Sequence, residues 1–137
     1  MPSPPGGHLV VQDYDLNAAQ VVPALASADE ITRLLVGTFE ALGCDVRAGV
    51  HLSELFAAAG LGAPDGTDVA GRIEPLASGR AILEDTFRSV LPVAIAHRVT
   101  SEPDAAAVLA ALHDDAARYP DRPLLWPLML AAWKRKP

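Results

Sequence analysis

The chain has 137 residues, half of them apolar and a fifth charged, which excludes a disordered tail and fits one globular domain over residues 1–137. A chain of this length buries roughly 68–70% of its unfolded surface, so one sizeable core is feasible. The net charge of −6, with Lys134–Arg135–Lys136 as the only basic run, argues against a nucleic-acid partner, and that run reads as a solubilised terminus.

The first element expected is a strand over His8–Tyr14. Leu9, Val10 and Val11 are consecutive and apolar, as in strands buried on both faces, and Asp13 and Asp15 bracket Tyr14 at its end. Residues 16–26 read as irregular, with Pro23 among them. Ser27 followed by Glu30 has the form of a capping box. The helix it opens carries Ile31, Leu34, Leu35, Phe39 and Leu42 on one stripe, and Gly43 stops it. Gly37 sits inside at a cost of about 1 kcal/mol relative to alanine. The stripe serves either a core or a lid over an apolar ligand.

A shorter helix over about 51–59 presents Leu52, Leu55, Phe56 and Ala59 and ends at Gly60. Thr67–Leu76 alternates as a strand, Val69 and Ile73 against Arg72 and Glu74. A third helix from about Arg80 carries Leu83, Phe87, Val90, Leu91 and Ala94, with Pro92 expected to kink or restart it. A fourth, about 103–118, follows Ser101 or Glu102 with Pro103 in its first turn, and buries Ala105, Val108, Leu109, Leu112 and Ala116. Asp121–Arg122–Pro123 makes a turn, and Leu124–Trp133 reads as a strand buried on both faces. Pro127 cannot donate to a ladder, so a bulge or a late start of pairing is expected there.

Cys44 is the only cysteine, so no internal disulfide forms, and no Cys/His grouping has metal-ligand spacing. No basic stretch followed by an apolar run opens the sequence, and Leu124–Trp133 is far short of the ~20 apolar residues of a membrane span. A cytoplasmic compartment and no membrane partner are expected.

Three segments together resemble one family. Pro5–Gly6–Gly7 followed by HLVVQDYD is similar to the turn and fifth strand of class I S-adenosylmethionine-dependent methyltransferases. GVHLSELFAAAGL, residues 49–61, resembles the helix before that family's sixth strand, and PLLWPLMLAAWKRKP resembles its seventh strand. The resemblance implies an α/β fold, a partial Rossmann-like methyltransferase sheet of three strands in the order 5-7-6 with about four helices. The lid and acceptor helices would be about 27–60 and 80–118. It implies the C-terminal, acceptor-binding portion of a small-molecule methyltransferase without the first four strands. S-adenosylmethionine is then a cofactor by resemblance only. No G-x-G-x-G follows a strand, and Gly60–Leu61–Gly62 reads as a helix stop, so no cofactor-binding residue is assigned and this chain alone is expected neither to bind the cofactor nor to catalyse.

By the same resemblance Gln12, Asp13, Tyr14 and Asp15 lie near a small-molecule acceptor. Alternatively, Asp13 and Asp15 only bond local N–H groups. The catalytic base is not assigned; Asp13 and His97 are the weak candidates, and His97 reads first as a surface residue of its helix and only then as a base. His51 reads as a helix-start residue and His113 as solvated. No metal site is expected. Without a fourth strand, residues 8–14 would present an unpaired edge. That edge would bind a complementary N-terminal methyltransferase half or a second copy of the chain. The alternative function is a non-catalytic remnant or dimerisation module associating through the same edge.

Overall fold

The computed structural model describes residues 4–136; Met1–Ser3 and Pro137, the ends of the expected domain, lie outside the described residues. The architecture is mixed α/β, with four α-helices and two three-stranded antiparallel sheets. In chain order the elements are β1 (His8–Asp15), a 3-10 turn (Leu16–Ala18), β2 (Gln20–Val21), α1 (Ala26–Ala41), α2 (Leu52–Ala58), β3 (Gly66–Ala70), β4 (Ile73–Pro75), α3 (Leu76–Ala96), α4 (Glu102–Arg118), β5 (Pro123–Leu125) and β6 (Leu128–Arg135).

The sheets are ordered β1-β6-β3 and β2-β5-β4. In both, the last strand to be made in sequence lies in the middle and runs antiparallel to its neighbours. Both sheets are formed by the same three stretches of chain in the same lateral order, each interrupted once. The breaks fall at residues 16–19, 71–72 and 126–127. The expected strand Thr67–Leu76 is therefore two strands in two sheets, and Leu76 already belongs to α3. Alternation persists through residues 71–72, so sequence periodicity does not register the change of sheet. The expected strand Leu124–Trp133 likewise splits at Pro127, and β6 starts one residue later, the late start that a missing N–H requires.

Helices α1, α3 and α4 pack on one another around Ile31, Leu34, Leu76, Phe87, Ala105 and Leu112, with Val21 and Leu124 closing the cluster from the small sheet. α3 approaches β5 closely, since a Cβ on Gly79 would meet Leu124 Cδ2 at 2.5 Å. α3 begins at Leu76 rather than near Arg80 and runs through Pro92 without restarting. α4 is capped by Ser101, whose hydroxyl accepts from the Asp104 N–H, and Pro103 occupies its first turn.

Two expectations about α1 differ in outcome. Gly43 adopts φ 78° while its N–H bonds Glu40 O and the Cys44 N–H bonds Phe39 O, a left-handed stop that glycine makes without steric cost. The capping box is not formed. Leu25 occupies the cap position, Ser27 lies inside the helix, and its hydroxyl donates to Asp115 Oδ2 on α4 at 2.6 Å. Glu30 instead pairs with Arg33 at 2.5 Å on the exposed face. The serine has a tertiary partner 88 residues away, and that bond displaces the local motif.

The larger sheet is covered on one face only by α2, where Leu52 and Phe56 pack on Ala132, Val11 and Leu130. β1 is not buried on both faces as its composition suggests: Leu9 is 40% and Val10 58% exposed. β1 is an edge strand whose one strand partner among the described residues is β6, with the Gly49 N–H donating to Tyr14 O near its end, and Val10 faces away from α2. Lys134–Lys136 is not a free basic tail either. Lys134 Nζ donates to Ala63 O at 2.5 Å, the Arg135 N–H donates to Asp65 Oδ2, and Lys136 exchanges backbone hydrogen bonds with Gly6 and Gly7.

Candidate functional site

The three strand interruptions converge on a half-enclosed cavity of about 590 Å³. The first break contributes Leu16 and Ala19, the second Gly71 and Arg72, and the third Trp126 and Pro127. Tyr14 at the end of β1, Ala70 at the end of β3 and Met129 at the start of β6 form the floor at the carboxyl ends of two strands. α1 supplies Thr32, Leu35, Val36 and Phe39, and α3 supplies Ile82, Leu83 and Thr86. The helical stripe of α1 is divided: Ile31 and Leu34 are buried in the core, while Leu35 and Phe39 line the cavity. Pockets of this size and apolar character are those that take small organic ligands.

The cavity wall holds one ionic network. Glu74, largely buried, receives the Trp126 Nε1–H on Oε2 at 3.0 Å and pairs with Arg72 at 2.5 Å. The carboxylate so holds the Trp126 ring in place and neutralises the only charged side chain of the lining. The Thr86 hydroxyl is used within its own helix, donating to Ile82 O at 2.7 Å. The Tyr14 and Thr32 side chains make no hydrogen bond to the described residues, which leaves two hydroxyls of the lining available.

Of the residues expected around an acceptor, the structure brings Tyr14 alone to the cavity lining. Gln12 is exposed and lies outside it. Asp13 sits on the opposite face of β1, in register with Leu130, and its carboxylate accepts the Tyr14 N–H at 2.7 Å. Asp15 is buried, caps the 3-10 turn by accepting the Asn17 N–H, and lies 3.5 Å from Arg47 Nε. Both carboxylates therefore bond local N–H groups, the alternative that the turn chemistry offers. His97 is exposed at the C-terminal cap of α3 and does not line the cavity. His113 is exposed on α4. His51 stands before α2 with Nδ1 2.6 Å from Asp45 Oδ2. The hydrogen bond to Asp45 raises its pKa above the usual 6.5, and the same bond, with the Arg47 N–H, lowers that of Asp45 below 3.8.

Sequence reasoning did not find Thr32, Val36, Arg72, Ile82, Thr86 or the Glu74–Trp126 bond. These residues come from four separated segments, and nothing in their spacing relates them. One signal was present: Trp126 beside Pro127 in an otherwise aliphatic run marks a place where a strand cannot pair.

Gly60 and Gly62, nearest to a glycine-rich turn, have φ of 76° and 70° just after α2, and neither follows a strand. The lining has no acidic residue for ribose hydroxyls. Among the described residues no group of three His, Cys, Asp or Glu side chains could hold a metal, and no helix is long and apolar enough to cross a membrane. No protein-family model matches the chain, and no curated protein matches it closely enough to count as a relative.

Proposed function

We propose that residues 1–137 are the C-terminal, acceptor-binding portion of an S-adenosylmethionine-dependent small-molecule methyltransferase, a partial Rossmann-like sheet whose cofactor cradle is supplied by other sequence. The observation that carries this reading is the cavity at the carboxyl ends of β1 and β3, in a sheet where β6 runs antiparallel between them. A three-stranded order with the last strand in the middle is what the reading requires of a 5-7-6 sheet, and carboxyl strand ends are where open α/β sheets bind ligands, which supports it. The role of this chain is to hold an acceptor against the reacting centre and to exclude water, which is most of what a group transfer between positioned reactants needs.

The test is a calorimetric titration of S-adenosylmethionine into this chain and into its fusion with the coding sequence immediately upstream of Met1. Saturable binding by the fusion and none by the chain alone is expected. An upstream sequence without a nucleotide-binding turn, or a fusion that binds nothing, overturns the reading.

A second reading, a non-catalytic module that dimerises through β1, is favoured by the exposure of Leu9 and Val10 on an edge strand. Val10→Lys separates the two. Val10 is more than half exposed, so the lysine leaves the fold intact. A dimer of the unaltered chain that becomes a monomer in sedimentation velocity favours the module. A chain that is monomeric with and without the substitution excludes it.

A further inference from the structure

We propose that the cavity between α1, α3 and the three strand breaks binds an uncharged, planar aromatic molecule carrying a hydroxyl group. The proposal deepens the acceptor-site reading above and rests on it for function, though not for binding.

Three observations set the class of ligand. The first is the distribution of aromatic rings. The chain has only seven aromatic residues, three Phe, two Trp and two Tyr. Tyr14, Phe39 and Trp126 line this one cavity, each from a different segment. Phe87 is buried in the helical cluster, and Tyr119 and Trp126 pack against it, so Trp126 serves both that core and the cavity wall, whereas Tyr14 and Phe39 belong to the cavity and not to that cluster. Aromatic faces in a concave apolar site favour stacked or edge-to-face contact with another flat ring.

The second observation is charge. Arg72 is the only charged lining residue, and Glu74 already holds it. An anionic ligand would have to draw Arg72 away, leaving a largely buried carboxylate with Trp126 as its remaining partner. A cationic ligand would find no uncommitted carboxylate, since Glu74 is held by Arg72 and Trp126 and no described lining residue is acidic. The site therefore selects against both signs. The third is the polar complement. The Tyr14 and Thr32 hydroxyls are uncommitted within the described residues, and either can bond a ligand hydroxyl. A half-enclosed concavity of about 590 Å³ suits a fused-ring compound rather than a protein surface.

The Glu74–Trp126 bond is the positioning element. It fixes the orientation of the indole and cancels Arg72 at once. Glu74→Gln keeps an acceptor oxygen for the indole N–H and releases Arg72. It should strengthen 2-naphthoate binding relative to 2-naphthol by about tenfold, the effect of freeing one charged donor.

The experiment titrates the full chain, without S-adenosylmethionine, with 2-naphthol, 2-naphthoate and cyclohexanol, followed by ligand-observed NMR and calorimetry. Saturable binding of 2-naphthol is expected, with 2-naphthoate weaker by about tenfold and cyclohexanol weaker still. Val36→Trp fills the cavity and should abolish binding. Thr32→Val, a near-isosteric change, should weaken 2-naphthol by a few-fold without changing the melting temperature, and serves where Val36→Trp does not fold. Naphthoate binding as tightly as naphthol, cyclohexanol matching it, or naphthol binding unaffected by both substitutions overturns the proposal. The outcomes also separate the two readings. Naphthol binding with no cofactor binding by the upstream fusion removes the methyltransferase and leaves the ligand class standing. A fusion that binds S-adenosylmethionine while the chain ignores naphthol removes the ligand class alone.

Discussion

The helical half and the larger sheet half of this molecule are stabilised by different means. Around α1, α3 and α4, thirteen buried residues form one cluster. Around β1-β6-β3, among the described residues, only Leu52, Phe56 and Ala132 are buried together. The helical half hides most of its apolar surface within itself, leaving Leu42 and Ile82 exposed and Leu35 and Phe39 on the cavity. The sheet half relies on backbone pairing, one covered face and one two-turn helix, and it leaves Val10, Tyr14 and Val69 exposed. A half that exposes this much apolar strand is suited to being covered by something else, whereas the helical half is not. The cavity lies between the two, where neither packing scheme closes the space.

Substitutions can break that contrast. Phe87→Ala in the helical cluster should cost about 3–5 kcal/mol, read as a shift of the urea midpoint at constant slope. Phe56→Ala removes the same ring from the small cluster, where Leu52 and Ala132 are buried but Val11 and Leu130 only partly so, and should cost less, about 2 kcal/mol. Equal costs would mean that the two halves are packed alike. A smaller effect is expected for Gly66→Ala. A Cβ there would lie 2.3 Å from the Trp133 ring, so the indole must move, at about 1–2 kcal/mol with a change in tryptophan fluorescence. Ser27→Ala should cost about 1 kcal/mol because it strands Asp115 between helices. Glu30→Gln, breaking only an exposed pair, should cost about 0.3 kcal/mol. A true capping box would make the two comparable.

The smallest effect is one of pH. His51 has a raised pKa, so its contribution is complete below the unfolded value near 6.5 and is lost as pH rises through the folded value. Asp45 has a lowered pKa, so its contribution is present above about 3.8 and is lost as pH falls through the folded value. The pair should support the loop before α2 best between these limits. His51→Ala should flatten that dependence in amide exchange of residues 45–52 while leaving exchange from α4 unchanged.

The helices were legible because their signals are local. The 3.6-residue stripes, Gly43, Gly60, the cap at Ser101 and Pro103 each act within a few residues, and each is where periodicity and capping put it. The strand breaks were not. Alternation across Gly71–Arg72 looks the same whether the next pair of residues joins one sheet or another, and only partner strands from distant segments decide between them. Ser27 shows the same limit in reverse, a local motif overruled by a carboxylate brought to it by α4.

The amino-acid sequence by itself determined where α1 and α2 stop and where α4 starts, that Pro127 delays the last strand, and that residues 8–14 form a strand rich in apolar side chains. Which face of that strand is covered, where the three extended stretches change sheets, and that Tyr14, Phe39 and Trp126 share one cavity were decided only by the tertiary structure. The reason is range. Helix geometry follows from contacts three or four residues apart, whereas strand pairing and cavity walls depend on residues tens of positions away, whose meeting no spacing in the chain records.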